Sequence, residues 1–209
     1  MTGPVAKYDV KRAHPELYAP SATEFVLVDV PPMRFLAIDG EGDPNTAPAY
    51  REAVEALFGV AYAAKFASKR VLGRDFVVAP LEGLWWADDP SAFTTGDRGA
   101  WRWTLLIHQP DWIDRAAIDA AVSAARAKGG GPALERLRLD VVDEGRSAQI
   151  LHVGPYAAEA PTLARLHHEW MPEHGLTFDG PHHEVYLSDA RRTAPEKLRT
   201  VLRQPVRSA

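Results

Sequence analysis

The sequence predicts an α+β fold in which duplicated strand-helix-strand-strand units form one antiparallel sheet, with helices on one face and a ligand cleft on the other. Three observations lead there. Short runs such as EFVLVDV (24–30) and WRWTLLIH (101–108) have the composition and alternation of strands. Between them Tyr50, Val54, Leu57, Phe58 and Ala61 recur at helical spacing. The order then returns, because FLAIDG–loop–helix–strand is echoed by QILHVG–loop–helix–strand.

The elements follow in chain order. Residues 1–24 are polar and punctuated by proline, and read as an extended lead-in. The first pseudo-repeat covers about 25–110. In it Glu24–Val30 and Arg34–Gly40 are strands separated by Pro31 and Pro32, and GEGDPNTAP is a loop. Thr46 fits an N-cap, with Pro48 tolerated in the first turn of a helix running to about Lys69. Asp75–Gly83 is strand-like, but Pro80 makes it an edge or bulged strand. LWWADDPSAFTTGDRGA (84–100) reads as a loop, followed by the strand Trp101–His108. An Ala-rich helix over Asp114–Lys128, ended by Gly129–Gly131, joins the halves. The second pseudo-repeat covers about 132–190, with strands at Leu134–Val142, Ala148–Val153 and His183–Ser188 and a helix from Pro161 to about Trp170. Thr193-Ala194-Pro195-Glu196 has the pattern of a capping box, which predicts a short C-terminal helix.

Composition excludes several classes. A formal net charge of −4 proposes no direct nucleic-acid partner. There is no apolar run of bilayer length and no apolar segment of a signal peptide near the start, so no membrane association is expected and the cytoplasm is the default location. Without cysteine there are no disulfides, thiolate nucleophiles or sulfur-ligated zinc. No GxxxxGK[ST] loop, HExxH or nucleophile elbow is present. His182 and His183 are adjacent on a strand and so face opposite ways, which argues against a shared metal.

GPHHEVYLSD (180–189) is the stretch that calls for chemistry, because it sets an acid inside an otherwise strand-like run. Side-chain alternation puts His183, Val185 and Leu187 on one face, expected to be the helix-packed one, and Glu184 with Tyr186 on the other. A solvated outer-face carboxylate is the plain alternative for Glu184. Between aromatic walls it would be desolvated, able to attract a cation or take a proton from water. Trp85, Trp86 and Trp103 could wall a flat ligand, with core packing as the alternative for each. Tyr62 is either a core residue or a hydroxyl that holds water or meets a developing oxyanion.

Four segments carry a family resemblance: PLEGLWW (80–86), WRWTLLIHQPD (101–111), EGRSAQILHVGPY (144–156) and HHEVYLSDARRTAPEKLRTVLRQPV (182–206). In these the chain resembles the GyrI-like small-molecule-binding family, and its free-standing branch more closely than the effector domains of multidrug-responsive activators. The resemblance implies two strand-helix-strand-strand repeats around a central cleft spanning 25–209, with a cleft glutamate that maps onto Glu184. It also implies hydrolysis of cyclopropanoid cytotoxins, which are planar aromatic DNA-alkylating molecules, with no metal or organic cofactor. Binding of drugs or aromatic cations without turnover, or inhibition of DNA gyrase, are the alternatives that the same family implies.

Overall fold

The computed structural model describes residues 7–89 and 97–209; part of the expected 84–100 loop lies outside them. The strands are β1 (Val26–Val30), β2 (Met33–Glu41), β3 (Leu81–Trp86), β4 (Arg102–His108), β5 (Arg138–Val142), β6 (Gly145–Val153), β7 (Leu176–Phe178), β8 (His182–Tyr186) and β9 (Arg199–Ser208). The helices are α1 (Val10–Ala13), α2 (Pro15–Tyr18), α3 (Pro48–Ala67), α4 (Arg115–Ala127) and α5 (Ala160–Arg165). α5 continues through a π turn, Leu166–Trp170, and a last helical turn, Met171–Glu173.

All sheet pairings are antiparallel, in the order β1-β6-β9-β8-β3-β4-β2-β5, with β7 added beside β9. The order reads the same from both ends. β2, β4 and β3 of the first half mirror β6, β9 and β8 of the second, and β3 and β8 pair at the centre. Each half lends its first strand to the other, since β1 pairs with β6 and β5 with β2. The α+β antiparallel architecture of duplicated units is therefore present.

Paired residues on antiparallel strands project to the same face. Trp85, Gly83, Glu184, Tyr186, Thr200, Leu202 and Ile150 accordingly share one face, as the β3–β8, β8–β9 and β6–β9 registers require. Tyr50, in the first turn of α3, packs on Trp85 and Trp103 of that face. Leu166 and Met171 of the second helical segment pack with Ile150 and Leu202 on it. Both helices thus lie on this face, and the central β3–β8 pair runs between them. Glu184 and Tyr186 emerge in that gap on the helix-bearing face, not on the bare side expected from alternation. Alternation divides residues into two sets without saying which set a helix covers.

On the reverse face α1 and α2 pack through Val10, Leu17 and Tyr18, all buried. The lead-in is thus partly helical rather than extended, because Asp9 caps α1 and Pro15 starts α2. Gly40 pairs with Trp103, and any Cβ there would sit 2.0 Å from the indole, so the glycine makes room for the ring across β2.

Three other expectations are corrected. α3 is preceded by Ala47, not Thr46, and its π-turn extension stops at Gly73, whose φ of +64° suits glycine. β3 is central rather than an edge strand, since Pro80 falls just before it and removes no ladder donor; Trp85 and Trp86 belong to this strand. The C-terminal helix is absent. Pro195–Lys197 makes one 3₁₀ turn and β9 follows, so the second repeat extends to Ser208. Pro205 is tolerated in β9 because it lies between the last residue paired to β8, Arg203, and the first paired to β7, Val206.

Candidate active site

The floor of the gap is the β3–β8 pair. Gly83 lies opposite Glu184. A Cβ on Gly83 would come within 2.8 Å of Trp85 Nε1 and 3.2 Å of the Tyr186 hydroxyl, so the missing side chain is what lets these two groups meet. The Trp85 indole N–H donates to the Tyr186 hydroxyl at 3.0 Å. Tyr186 in turn stands in hydrogen-bond contact with Glu184 and with Tyr50. Burial first, and then the Glu184 charge, push the Tyr186 phenol well above its ordinary pKa; the same two causes act on Tyr50. Both therefore stay protonated and act as donors.

Glu184 is 16% exposed. Its nearest basic neighbour is His182, whose Nε2 lies 3.5 Å from Oε1, too far for a strong hydrogen bond. Among the described residues no lysine or arginine ion-pairs with it. His182 faces His167 at 6.3 Å between ring centroids, and partial burial and then His182 lower the pKa of His167 to about 4. Among the described residues no group of three or more His, Asp or Glu is placed to hold a metal ion.

Aromatic rings line the gap. Tyr50 stacks on Trp85 with centroids 6.2 Å apart, Trp101 meets Trp85 edge-on at 5.8 Å, and Tyr156 meets Tyr186 edge-on at 5.7 Å. A second acid stands in the wall. Glu159 follows the 3₁₀ turn Tyr156–Ala158 and is 5% exposed. Its carboxyl lies by Thr200, the residue paired with Tyr186. Burial, and then the repulsion of Glu184, raise its pKa to about 9. Both effects favour the neutral form of Glu159, which stands within the reach of the Glu184 charge.

Behind Glu184, on the reverse face, is a buried ionic network. His183 Nδ1 lies 2.9 Å from Glu144 Oε1, and its Nε2 3.0 Å from Glu82 Oε2. Arg203 donates to Glu144 at 3.1 Å, to Gln149 at 3.1 Å and to the Leu17 carbonyl at 2.8 Å. The Tyr18 hydroxyl donates to Glu82 at 2.8 Å. Burial alone would lower the His183 pKa, but Glu144 and Glu82 outweigh it and raise it to about 9. Burial would likewise raise Glu144, but His183 and Arg203 hold it at about 2. These bonds tie α2 to the sheet and fix β8 in register beneath the acid.

Of the six residues singled out from sequence, Glu184, Tyr186 and Trp85 come together. Trp103 is fully buried under Tyr50 and supports the wall without lining it. Trp86 turns to the opposite side of β3, where with Asp39, Glu41, Arg102 and Arg136 it borders a separate open hollow. Tyr62 is 48% exposed, its ring between Phe58 and Phe66. Twelve residues, about 18 Å of helix axis, separate it from Tyr50, the α3 tyrosine that reaches the acid. Tyr50, Tyr156 and Glu159 were not identified from sequence. The spacing that marks Tyr50 as a core position is also what delivers it to the gap.

Comparison with known proteins identifies the family and the fold. The GyrI-like small molecule binding domain matches residues 23–207. An uncharacterized conserved protein from Listeria innocua is 39% identical, with a TM-score of 0.89, over 96% of this chain and 100% of its own. A protein described as a hydrolase from Listeria innocua is 38% identical, with a TM-score of 0.86, over 97% of this chain and 100% of its own. The C-terminal domain of EcmrR, 10% identical with a TM-score of 0.54 over 89% of this chain and 98% of its own, shares the fold alone. No curated protein matches.

Proposed function

The chain belongs to the GyrI-like small-molecule-binding family, and from that premise we propose that it is a hydrolase that opens the cyclopropane of planar aromatic, DNA-alkylating molecules and so protects the cell from them. One observation carries the reading: Glu184 is a mostly buried carboxylate among aromatic rings, without a lysine or arginine counter-ion among the described residues. The similarity to a hydrolase from Listeria innocua supports turnover over binding alone.

The flat ligand lies in the gap between the two helices, against Trp85, Tyr50 and Tyr156. Glu184 takes a proton from a water as that water attacks the strained carbon. The carbon–carbon bond breaks and its electron pair moves through the conjugated system to a carbonyl oxygen. That oxygen becomes a phenol, so relief of strain and aromatisation drive the step. Tyr186, held by the Trp85 indole, orients the carboxylate and the water. A positioned base contributes about 10²–10⁴ in rate, or about 3–5 kcal/mol of barrier. No metal or organic cofactor enters.

The test is to incubate the purified protein with a cyclopropane-conjugated dienone and analyse the product by mass spectrometry. The expected result is a ring-opened phenol carrying the elements of one water. A carboxylate against rings also holds aromatic cations, so binding without turnover is the second reading. Tryptophan quenching with no product would establish it. Capture of gyrase by the protein would favour the inhibitor alternative.

A further inference from the structure

Ring opening leaves negative charge on the dienone oxygen, and a base alone does not deal with it. The hydrolase reading, on which this inference rests, therefore needs a proton donor on the other side of the ligand. Tyr50 and Tyr186 are weak acids made weaker by their surroundings. Glu159 is a different kind of group. Its Oε1 is fully buried and, among the described residues, has no hydrogen-bond partner. That is costly for a polar atom unless something occupies the position in the working state. The residue is set by the turn after Gly154-Pro155-Tyr156, and the Tyr156 ring packs edge-on against Tyr186. Its carboxyl neighbours Thr200, directly across the β8–β9 ladder from Tyr186, and it lies close enough to Glu184 for the two to repel.

We propose that Glu159 is the general acid of the reaction, donating its proton to the oxygen that becomes the phenol while Glu184 removes one from water. Atoms and charge balance. Water supplies hydroxyl to the carbon and a proton to Glu184, the cleaved carbon–carbon pair ends as an O–H bond made with the Glu159 proton, and the two acids exchange states. Solvent then returns the proton from Glu184 to Glu159, and one water has been added overall. The arrangement also explains why two carboxyls can share one apolar pocket. Burial and the nearby Glu184 charge favour the neutral form of Glu159, which spares the site a second like charge.

The substitution that tests this is Glu159→Gln, which keeps shape and loses the transferable proton. The readouts are kcat and KM for the dienone across pH, together with the infrared carbonyl stretch of a protonated carboxylic acid at pH 7. The expected result is a wild-type band that vanishes in the variant. It is joined by a kcat reduced about 10²-fold or more at little-changed KM, and by loss of the alkaline limb that wild type shows near pH 9. Glu159→Asp should restore part of kcat. If wild type turns over and the variant keeps its kcat and alkaline limb, this inference falls and the hydrolase reading stands. If wild type binds the compound but forms no product, both fall.

Discussion

Glu144→Gln removes one charge from the network behind the site, and its cost can be worked from the structure. Glu144 is held at about 2 in the folded chain, against an ordinary 4.5, by His183 and Arg203. At about 1.4 kcal/mol per pH unit the preference amounts to roughly 3 kcal/mol. Losing one partner of a buried pair commonly costs about 3–5 kcal/mol. The sign follows from the two shifts. A depressed acid stabilises the fold above about pH 4.5, and that stability is lost as pH falls toward about 2. His183, raised from 6.5 to about 9, stabilises it below 6.5, and the gain is lost as pH rises through about 9. Both describe one network, counted once, and it is at full strength between about pH 4.5 and 6.5. Urea unfolding near the middle of that window should find the variant less stable by about 3 kcal/mol. The gap should shrink steadily on acidification toward about pH 3. A difference below about 1 kcal/mol in the window, or one that acid leaves unchanged, would refute the claim that this network clamps β8 and α2.

Other outcomes follow from the same geometry. Gly83→Ala puts a methyl between Trp85 Nε1 and the Tyr186 hydroxyl; it should lower turnover at least about tenfold, since small misplacements of reacting groups are amplified, while circular dichroism shows the fold retained. Tyr50→Phe should weaken ligand binding and slow the reaction, whereas Tyr62→Phe, altering a half-exposed ring beyond Phe58, should leave kcat/KM within about twofold of wild type. Equal losses from the two tyrosine changes would contradict the placement of the cleft at the start of α3.

The architecture was legible because its signals are local. Strand composition in β1, β2 and β4, helical spacing in α3 and the Ala-rich run of α4 need no knowledge of the rest of the chain. Among the described residues no helix is long and apolar enough to cross a membrane. The misreadings came from contacts distant in sequence. The capping-box pattern at residues 193–196 points to a helix, but the pairing of β9 with β6 and β8 makes the segment a strand, and Pro205 is harmless there because it falls in the gap between β8 and β7. Glu184 stands out on its own strand, but alternation alone assigns its face wrongly, because His183 reads as the helix-packed residue. His183 is indeed buried, but in an ionic network with Glu144 and Arg203, 39 and 20 positions away in the numbering. Glu159 gave no signal, because an acid at the start of a helix is ordinary. Only folding shows that one of its oxygens is buried without a hydrogen-bond partner and that the group lies near enough to Glu184 to be repelled by it.

The most direct test of the whole account is the single-turnover rate of Glu184→Gln with a cyclopropane-conjugated dienone at saturating protein. The account expects the compound to bind, seen as quenching of Trp85, and the ring to open at least about 100-fold more slowly than with wild type. Ring opening at the wild-type rate would contradict the assignment of Glu184 as the base.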